Sequence, residues 1–209
     1  MDDKPPGIRR LCVAFGTESP GDQGDEDPAA VEQRTAAAFT DVCASLGLDR
    51  MLLNHQAHGE VRVGLLPVGI DEPRVVASLV EGLFQAIAEL NVPYAGRARV
   101  RLRLALHEGV TILAADGYGG NAVARVRHLA ESPQLRAALD ACPQAGLAVL
   151  LSDPLFQDIC PFGYPRLSAS QFRPVKIAGP DRSGGDIAWI CVPGRPNGSG
   201  PPMAGVLSA

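Results

Sequence analysis

The sequence predicts an α/β fold in which helices pack on a mixed β-sheet. Short apolar runs, typical of buried strands, alternate along the chain with longer segments whose apolar residues recur at helical spacing. Several of the longer segments begin with Asp-Pro or Ser-Pro, the pairing of N-cap residue and first-turn proline that is typical of helix starts. Pairs of adjacent strands alternate with helices, and this order indicates a mixed sheet.

Length and composition limit the class of protein. A chain of 209 residues, 46% apolar and 20% charged, is long enough for one substantial core and reads as an ordinary globular protein. No apolar run approaches the eighteen or so residues of a membrane span, and the N-terminus lacks the hydrophobic segment of a secretory signal. Five scattered cysteines without a CxxC pair predict reduced thiols in a cytoplasmic protein. A net charge of −4 argues against a nucleic-acid-binding surface.

Both ends of the chain differ in composition from the middle. Residues 1–7 and 195–209 are rich in Pro, Gly and Ser, and we predict that both stretches are disordered because they can bury little apolar surface. Residues 8–194 contain no linker long enough to divide them. The sequence therefore predicts a single domain over residues 8–194.

The elements are assigned from local periodicity, caps and breakers. A helix with apolar residues at helical spacing starts at Asp27-Pro28 and ends at Gly47, and a second opens at Asp71. Ser132-Pro133 and Asp153-Pro154 open two shorter helices by the same combination of cap and proline. The predicted strands cover residues 11–15, 51–53, 61–66, 99–107, 110–113, 147–151, 172–177 and 187–192.

The segment from Arg99 carries the clearest strand signal. Arg99, Arg101 and Arg103 alternate with apolar residues, which is the period-two pattern of a half-buried strand. We therefore expect the three arginines to line a face turned to solvent or to a partner. The sequence 107–109 (His-Glu-Gly) is expected to end this strand, and residues 110–113 to return beside it.

Residues able to carry chemistry are few. Gly117, Gly119 and Gly120, followed by Asn121, form a glycine loop before a helix, which either contacts a phosphate or simply makes a tight turn. The loop has neither the Walker spacing nor its lysine. His55 and His58 lie in a polar turn without a third ligand for zinc. Glu60 and Asp116 are carboxylates that magnesium could use, but sequence does not bring them together.

Two segments together resemble the class III nucleotidyl (adenylate/guanylate) cyclase homology domain. RLRLALHEG at residues 101–109 is similar to that family's strand ending in Ile-His-x-Gly. GYGGNAVARVRHL at residues 117–129 is similar to its Gly-x-x-Val-Asn-x-Ala-x-Arg-Leu helix start. The resemblance extends over residues 11–192 and implies the family's ferredoxin-like mixed sheet with helices packed on it.

Short, stand-alone actinobacterial members are the most similar. They share a stretch like SPQLRAALDACPQAGLAVLLSDPLF and a closing segment with a lysine and a tryptophan, here Lys176 and Trp189. The family joins the ribose 3′-hydroxyl of a nucleoside triphosphate to its α-phosphate with two divalent ions. Its domains pair head to tail, so the resemblance also implies a homodimer or a pseudo-heterodimer.

The same alignment implies that the catalytic positions are degenerate. The first metal-binding aspartate falls on Ala14, or on Val13 if the register slips by one, and the second falls on Glu60. The transition-state asparagine and arginine fall on Ala124 and His128, and Gln56 stands at the base-selecting position. Losing these donors and a metal ligand should abolish turnover, because removal of one charge-stabilising donor commonly costs about a hundredfold or more.

The sequence therefore predicts a cyclase-like domain without catalysis that binds a nucleotide or a partner protein, with no cofactor. The rival interpretation is a divergent active cyclase that uses Mg²⁺ or Mn²⁺ on Glu60, with Glu18 or the acidic residues 22–27 as unconventional ligands. A third interpretation keeps only a small α/β interaction domain.

Overall fold

The computed structural model describes residues 6–18, 27–48, 52–54, 61–94, 100–114, 117–178 and 185–194. The strands are β1 (Gly7–Glu18), β2 (Leu52–Asn54), β3 (Val61–Leu65), β4 (Arg101–Ala114), β5 (Gly117–Gly119), β6 (Leu147–Ser152), β7 (Arg173–Ala178) and β8 (Gly185–Cys191). The α-helices are α1 (Pro28–Ser45), α2 (Glu72–Asn91), α3 (Asn121–Ala130), α4 (Pro133–Asp140) and α5 (Asp153–Ile159). The predicted α/β class is confirmed.

The strands form one mixed sheet in the order β2-β3-β1-β4-β6-β8-β7, and β5 pairs with the end of β4. Within the described residues, β4 and β6 are parallel and the remaining neighbours are antiparallel. The closing pair β7–β8 and the pair β2–β3 appear where the sequence predicts them. The long β4 lies at the centre of the sheet, between β1 and β6.

Helices cover both faces of the sheet. Apolar residues of α1, α2 and α5 form one core with the sheet face that carries Leu104 and Val149. Apolar residues of α3 and α4 form a second core with the opposite face, which carries Ala105 and Leu150. Neighbouring β-residues point to opposite faces, so a single strand contributes alternately to the two cores.

Side-chain caps start three of the helices at the predicted residues. Asp27 accepts a hydrogen bond from the Ala29 N–H at 3.0 Å, and a proline follows it at the first helical position. Asp71 and Ser132 cap α2 and α4 in the same way. In the fourth case the N-cap is Ser152, one residue before the predicted Asp153, and its hydroxyl makes no capping bond.

The prediction that residues 107–109 end a strand is wrong. β4 runs without interruption through this segment because β1 pairs with it over twelve residues, from Gly7 opposite Ile112 to Glu18 opposite Arg101. β1 is correspondingly longer than the predicted residues 11–15. The strand that returns beside β4 is β5, not residues 110–113.

The prediction that the arginines of β4 line a face turned to solvent or to a partner is also wrong. Arg103 is completely buried, and its Nη1 donates to the carbonyl oxygen of Ala130 at 2.7 Å. Arg101 is 13% exposed and contacts Asp140 at 3.3 Å. The alternation itself is correct, but α3 and α4 cover the face on which the two side chains lie. Arg99 is outside the described residues.

The cysteines are free, and four of the five are buried: Cys12, Cys43, Cys160 and Cys191. Burial raises the pKa of the Cys12, Cys43 and Cys191 thiols to about 12 and that of Cys160 to about 11. They are therefore small core residues. Among the described residues, no helix is long and apolar enough to cross a membrane.

Candidate functional site

Ala14, which the sequence resemblance aligns with the first metal-binding aspartate, lies near the middle of β1. It pairs with Val63 of β3 and Ala105 of β4, and it is fully buried in the apolar layer under α3. An alanine methyl group has no lone pair to offer a cation. The alternative register gives no ligand either, because Val13 is buried in the core on the other face of the sheet.

Glu60, which the sequence resemblance aligns with the second aspartate, lies outside the described residues, as do Gln56, His55, His58 and Asp116. β3 begins at Val61, the residue after Glu60, and Val61 pairs with Gly16 of β1. Gly16 is two residues from Ala14 along β1. Glu60 remains a candidate ligand by sequence alone.

Glu18 is held by arginines at the end of β1. It forms an ion pair with the buried Arg103, and its Oε1 lies 3.5 Å from Nε of Arg136. It is four residues from Ala14 along the strand, a distance of about 13 Å at the usual rise per residue. The carboxylate is thus engaged by two guanidinium groups at a distance from the family's metal position.

The described residues do not fit a two-metal centre. No three His, Cys, Asp or Glu residues in the described part of the chain are grouped so as to hold a metal ion. Hard divalent ions require several oxygen ligands, whereas the described residues in the core around Ala14 are apolar. No catalytic step through a metal ion follows from this arrangement.

Helix α3 carries Ala124 and His128, the residues that the sequence resemblance aligns with the asparagine and the arginine. Ala124 is exposed and ends in a methyl group. His128, one turn further on, directs its Nε2 to the carbonyl oxygen of Ala178 at 2.7 Å. Arg125 pairs with Asp186 at 2.6 Å. The polar side chains of α3 thus attach the helix to the facing ends of β7 and β8.

The glycine loop has a structural role in the turn into α3. Gly117 and Gly119 bound β5, which pairs with the end of β4. Gly120 has φ of +102°, and a Cβ there would lie 3.1 Å from the carbonyl oxygen of Val110, so this position requires glycine. Asn121 is the first residue of α3 and is exposed. Phosphate contact by these four residues stays a prediction.

One polar pair was not predicted from sequence. His107 lies within β4, and its Nδ1 is 2.9 Å from Oγ of Ser152 at the end of β6. Burial, with a smaller contribution from Arg125, lowers the pKa of His107 below its ordinary value. The residues are 45 positions apart, so only the parallel β4–β6 pairing brings them together. Because Ser152 is buried, the pair has a structural rather than a catalytic setting.

Comparison with known proteins places this arrangement in a structural class. No protein-family model and no curated protein matches the chain. Among solved structures, an adenylate/guanylate cyclase/hydrolase from Silicibacter pomeroyi matches with a TM-score of 0.56 at 17% identity, over 90% of this chain and 99% of that one. The adenylyl cyclase CyaB from P. aeruginosa matches with a TM-score of 0.52 at 12% identity, over 92% and 98%. The guanylyl cyclase Cya2 matches with a TM-score of 0.52 at 15% identity, over 88% and 93%.

The chain therefore has the fold of the class III adenylate/guanylate cyclase domain. The predicted resemblance is confirmed at the level of the fold, over about 90% of the chain. At these low identities the likeness shows the fold alone, so any activity has to be argued from the chain's own residues.

Proposed function

We propose that this chain is a catalytically degenerate cyclase-like domain that acts as a regulatory or binding module in the cytoplasm. The observation that carries the proposal is Ala14, a buried methyl group at the position where the family's reaction needs a metal ligand. The five free cysteines support a reducing compartment.

The described residues of α3 support the same proposal. Ala124 offers no hydrogen bond to a transition state, and His128 is already engaged with the Ala178 carbonyl. These positions and Ala14 lie in separate segments of the chain, so the chemistry is missing from more than one element. A site that lacks both a metal ligand and its anion-stabilising donors has lost the main sources of rate acceleration.

The rival function is a divergent cyclase that binds Mg²⁺ or Mn²⁺ through Glu60 and takes its remaining ligands from elsewhere. Glu18 does not favour this rival, because it is paired with Arg103 and Arg136. Glu60 has a carboxylate that could bind a metal ion, so the rival function is tested by substituting this residue.

We expect no cyclic nucleotide and no pyrophosphate when the purified chain is incubated with each nucleoside triphosphate and Mg²⁺ or Mn²⁺. Product analysis by chromatography checks this, with Glu60→Ala as the matched control. Cyclic product from the wild type that disappears in Glu60→Ala would overturn the proposal in favour of the rival.

The bound molecule is either a nucleotide or a partner protein. Calorimetric titration with each triphosphate distinguishes the two: binding without turnover identifies a nucleotide sensor, and Gln56→Lys should then change the base preference. Absence of binding by every nucleotide identifies a protein–protein module.

A dimer through the projecting end of the β1–β4 pair forms part of the proposal. We call residues 7–10 of β1 and 109–114 of β4 the arm. The arm extends beyond β3, which pairs only with residues 12–16 of β1, and beyond β6, which pairs with residues 102–106 of β4. Four large apolar side chains are exposed on it, namely Ile8, Val110, Ile112 and Leu113. The register of β1 and β4 puts Val110 and Ile112 on one face of the arm and Ile8 and Leu113 on the other. A second copy of the chain that packs around the end of the arm would bury both pairs on both subunits.

We expect Val110→Asp combined with Leu113→Asp to convert the dimer to monomer, because each introduces a charge onto apolar surface that association would bury. Light scattering measures the mass. Ile187→Asp, at an exposed apolar residue of β8 outside the arm, should leave the mass of the dimer unchanged. A monomeric wild type, or a mass unaffected by the two arm substitutions, would contradict this interface. Arg101 is unsuited to such a test because its partner is Asp140 of the same chain.

A further inference from the structure

A groove lies beside α2, on the sheet face opposite to α3 and Ala14. Its volume is about 940 Å³, and its walls are α2 from Phe84 to Val92, the turn at residues 142–147, and the end of the described chain at residues 192–194. We call it the α2 groove. Its size lies in the range of cavities that hold a ligand or a short peptide.

The described residues in the walls of the α2 groove are uncharged. Phe84, Ala88, Val92 and Leu147 supply apolar surface, and none of the described residues that line the groove is charged at neutral pH. The amide of Asn91 is satisfied within the fold, since it both donates to and accepts from the backbone of Val100 at 2.8 Å. The groove therefore suits an occupant that is apolar and uncharged.

The described chain ends at the rim of the groove and turns there. Gly194 lines the groove and has φ of +85°, and a Cβ on it would lie 3.4 Å from the Phe84 ring. This conformation favours glycine and places the backbone close against the ring. Gly194 is thus part of the groove wall at the point where the described residues end.

The chain beyond Gly194 has the composition of such an occupant. Residues 195–209 read RPNGSGPPMAGVLSA, in which Arg195 is the single charged side chain and residues 203–207 carry Met, Val and Leu. Nine residue steps separate Gly194 from Met203 and reach up to about 30 Å. The groove wall from Phe84 to Val92 is about 12 Å long. The link is long enough for residues 203–207 to reach any part of the groove.

We propose that the α2 groove is an intramolecular docking site for residues 203–207 of this chain. The uncharged apolar lining, the turn at Gly194 that begins in the groove wall, and the apolar residues within reach support this one occupant. The proposal gives an ordered position to part of a segment that the sequence predicts to be disordered. It is independent of whether the cyclase-like site binds a nucleotide.

Cys142 is a native reporter of the groove. It lines the groove and is partly exposed, whereas the other four cysteines are buried and their raised thiol pKa leaves almost no reactive thiolate at neutral pH. The rate of labelling with a thiol reagent such as Ellman's reagent therefore reports Cys142. A docked segment over the groove should slow this reaction.

We expect the triple variant Met203→Ser/Val206→Ser/Leu207→Ser to label about fivefold faster than the full wild-type chain, the factor for a segment docked about four-fifths of the time. Ala88→Glu introduces a charge into the groove at an exposed helix position and should accelerate labelling similarly. Ala137→Glu, at an exposed position of α4 outside the groove, is the matched control and should keep the wild-type rate.

Equal labelling rates in the wild type and the triple variant would overturn the proposal. Protection of Cys142 that appears only when an apolar dye such as anilinonaphthalene sulfonate is added would also overturn it, because the groove would then accept an external ligand instead of the chain's own segment. Acceleration in the triple variant and in Ala88→Glu, with none in Ala137→Glu, supports it.

Discussion

We expect Arg103→Leu to lower the free energy of unfolding by about 3–5 kcal/mol, the usual cost of removing one partner of a buried ion pair. The substitution leaves Glu18, which is 14% exposed, without its buried cation. It also leaves the Ala130 carbonyl oxygen without the Nη1 donor at the end of α3. Urea denaturation measures the change, and circular dichroism verifies that the variant is folded at the start.

Arg136→Ala is the control for the Arg103 experiment. Arg136 contacts the same carboxylate but is 47% exposed, so its removal should cost less than about 1 kcal/mol. Similar losses of unfolding free energy in Arg103→Leu and Arg136→Ala would show that burial of the arginine does not determine how much its ion pair with Glu18 stabilises the fold. The double variant Glu18→Gln/Arg103→Leu should recover part of the loss, since it no longer buries an unpaired charge.

An aspartate introduced at position 14, where the sequence resemblance aligns the family's metal ligand, is expected to destabilise this protein instead of activating it. Ala14→Asp places a carboxylate in the apolar layer between the sheet and α3, where it is fully enclosed. We expect a loss of about 4 kcal/mol or more, the range of mutations that bury an unpaired charge. Thermal denaturation by calorimetry, with and without Mn²⁺, measures the effect.

Ala124→Asp makes the same chemical change at an exposed position of α3 and should alter stability by less than about 1 kcal/mol. Addition of Mn²⁺ should leave the unfolding temperature of Ala14→Asp unchanged. A rise specific to Ala14→Asp would mean that other ligands surround position 14, and would contradict the proposal of a degenerate site.

Local chemistry accounts for the elements that sequence predicts well. Asp27, Asp71 and Ser132 each start a helix where predicted, because an N-cap and a following proline act over one turn and need no distant partner. The strand at residues 147–151 is close to its predicted bounds, because an uninterrupted apolar run between turn residues is a local signal. The strand at residues 172–177, which mixes apolar and basic residues, also lies within one residue of its predicted bounds.

The failures concern long-range pairing. Gly109 looks like the end of a strand, yet β4 continues because Arg10 of β1 lies opposite it. The alternation around Arg103 shows that its side chain shares a face with Arg101, but a period of two does not tell which face other elements cover. The sheet face that carries Arg101 and Arg103 is covered by α3 and α4, which follow later in the chain.

For the candidate site, the sequence by itself determined which chemical groups are present: a methyl group at Ala14, a carboxylate at Glu60, and neither the amide nor the guanidinium at Ala124 and His128. Only the tertiary structure decided what surrounds them. Ala14 is buried under α3, and Glu18 forms an ion pair with Arg103. Both contacts depend on pairing between segments that are distant in sequence. The cost of burying a charge depends on that packing, because packing decides whether a group meets water, a counter-ion or hydrocarbon.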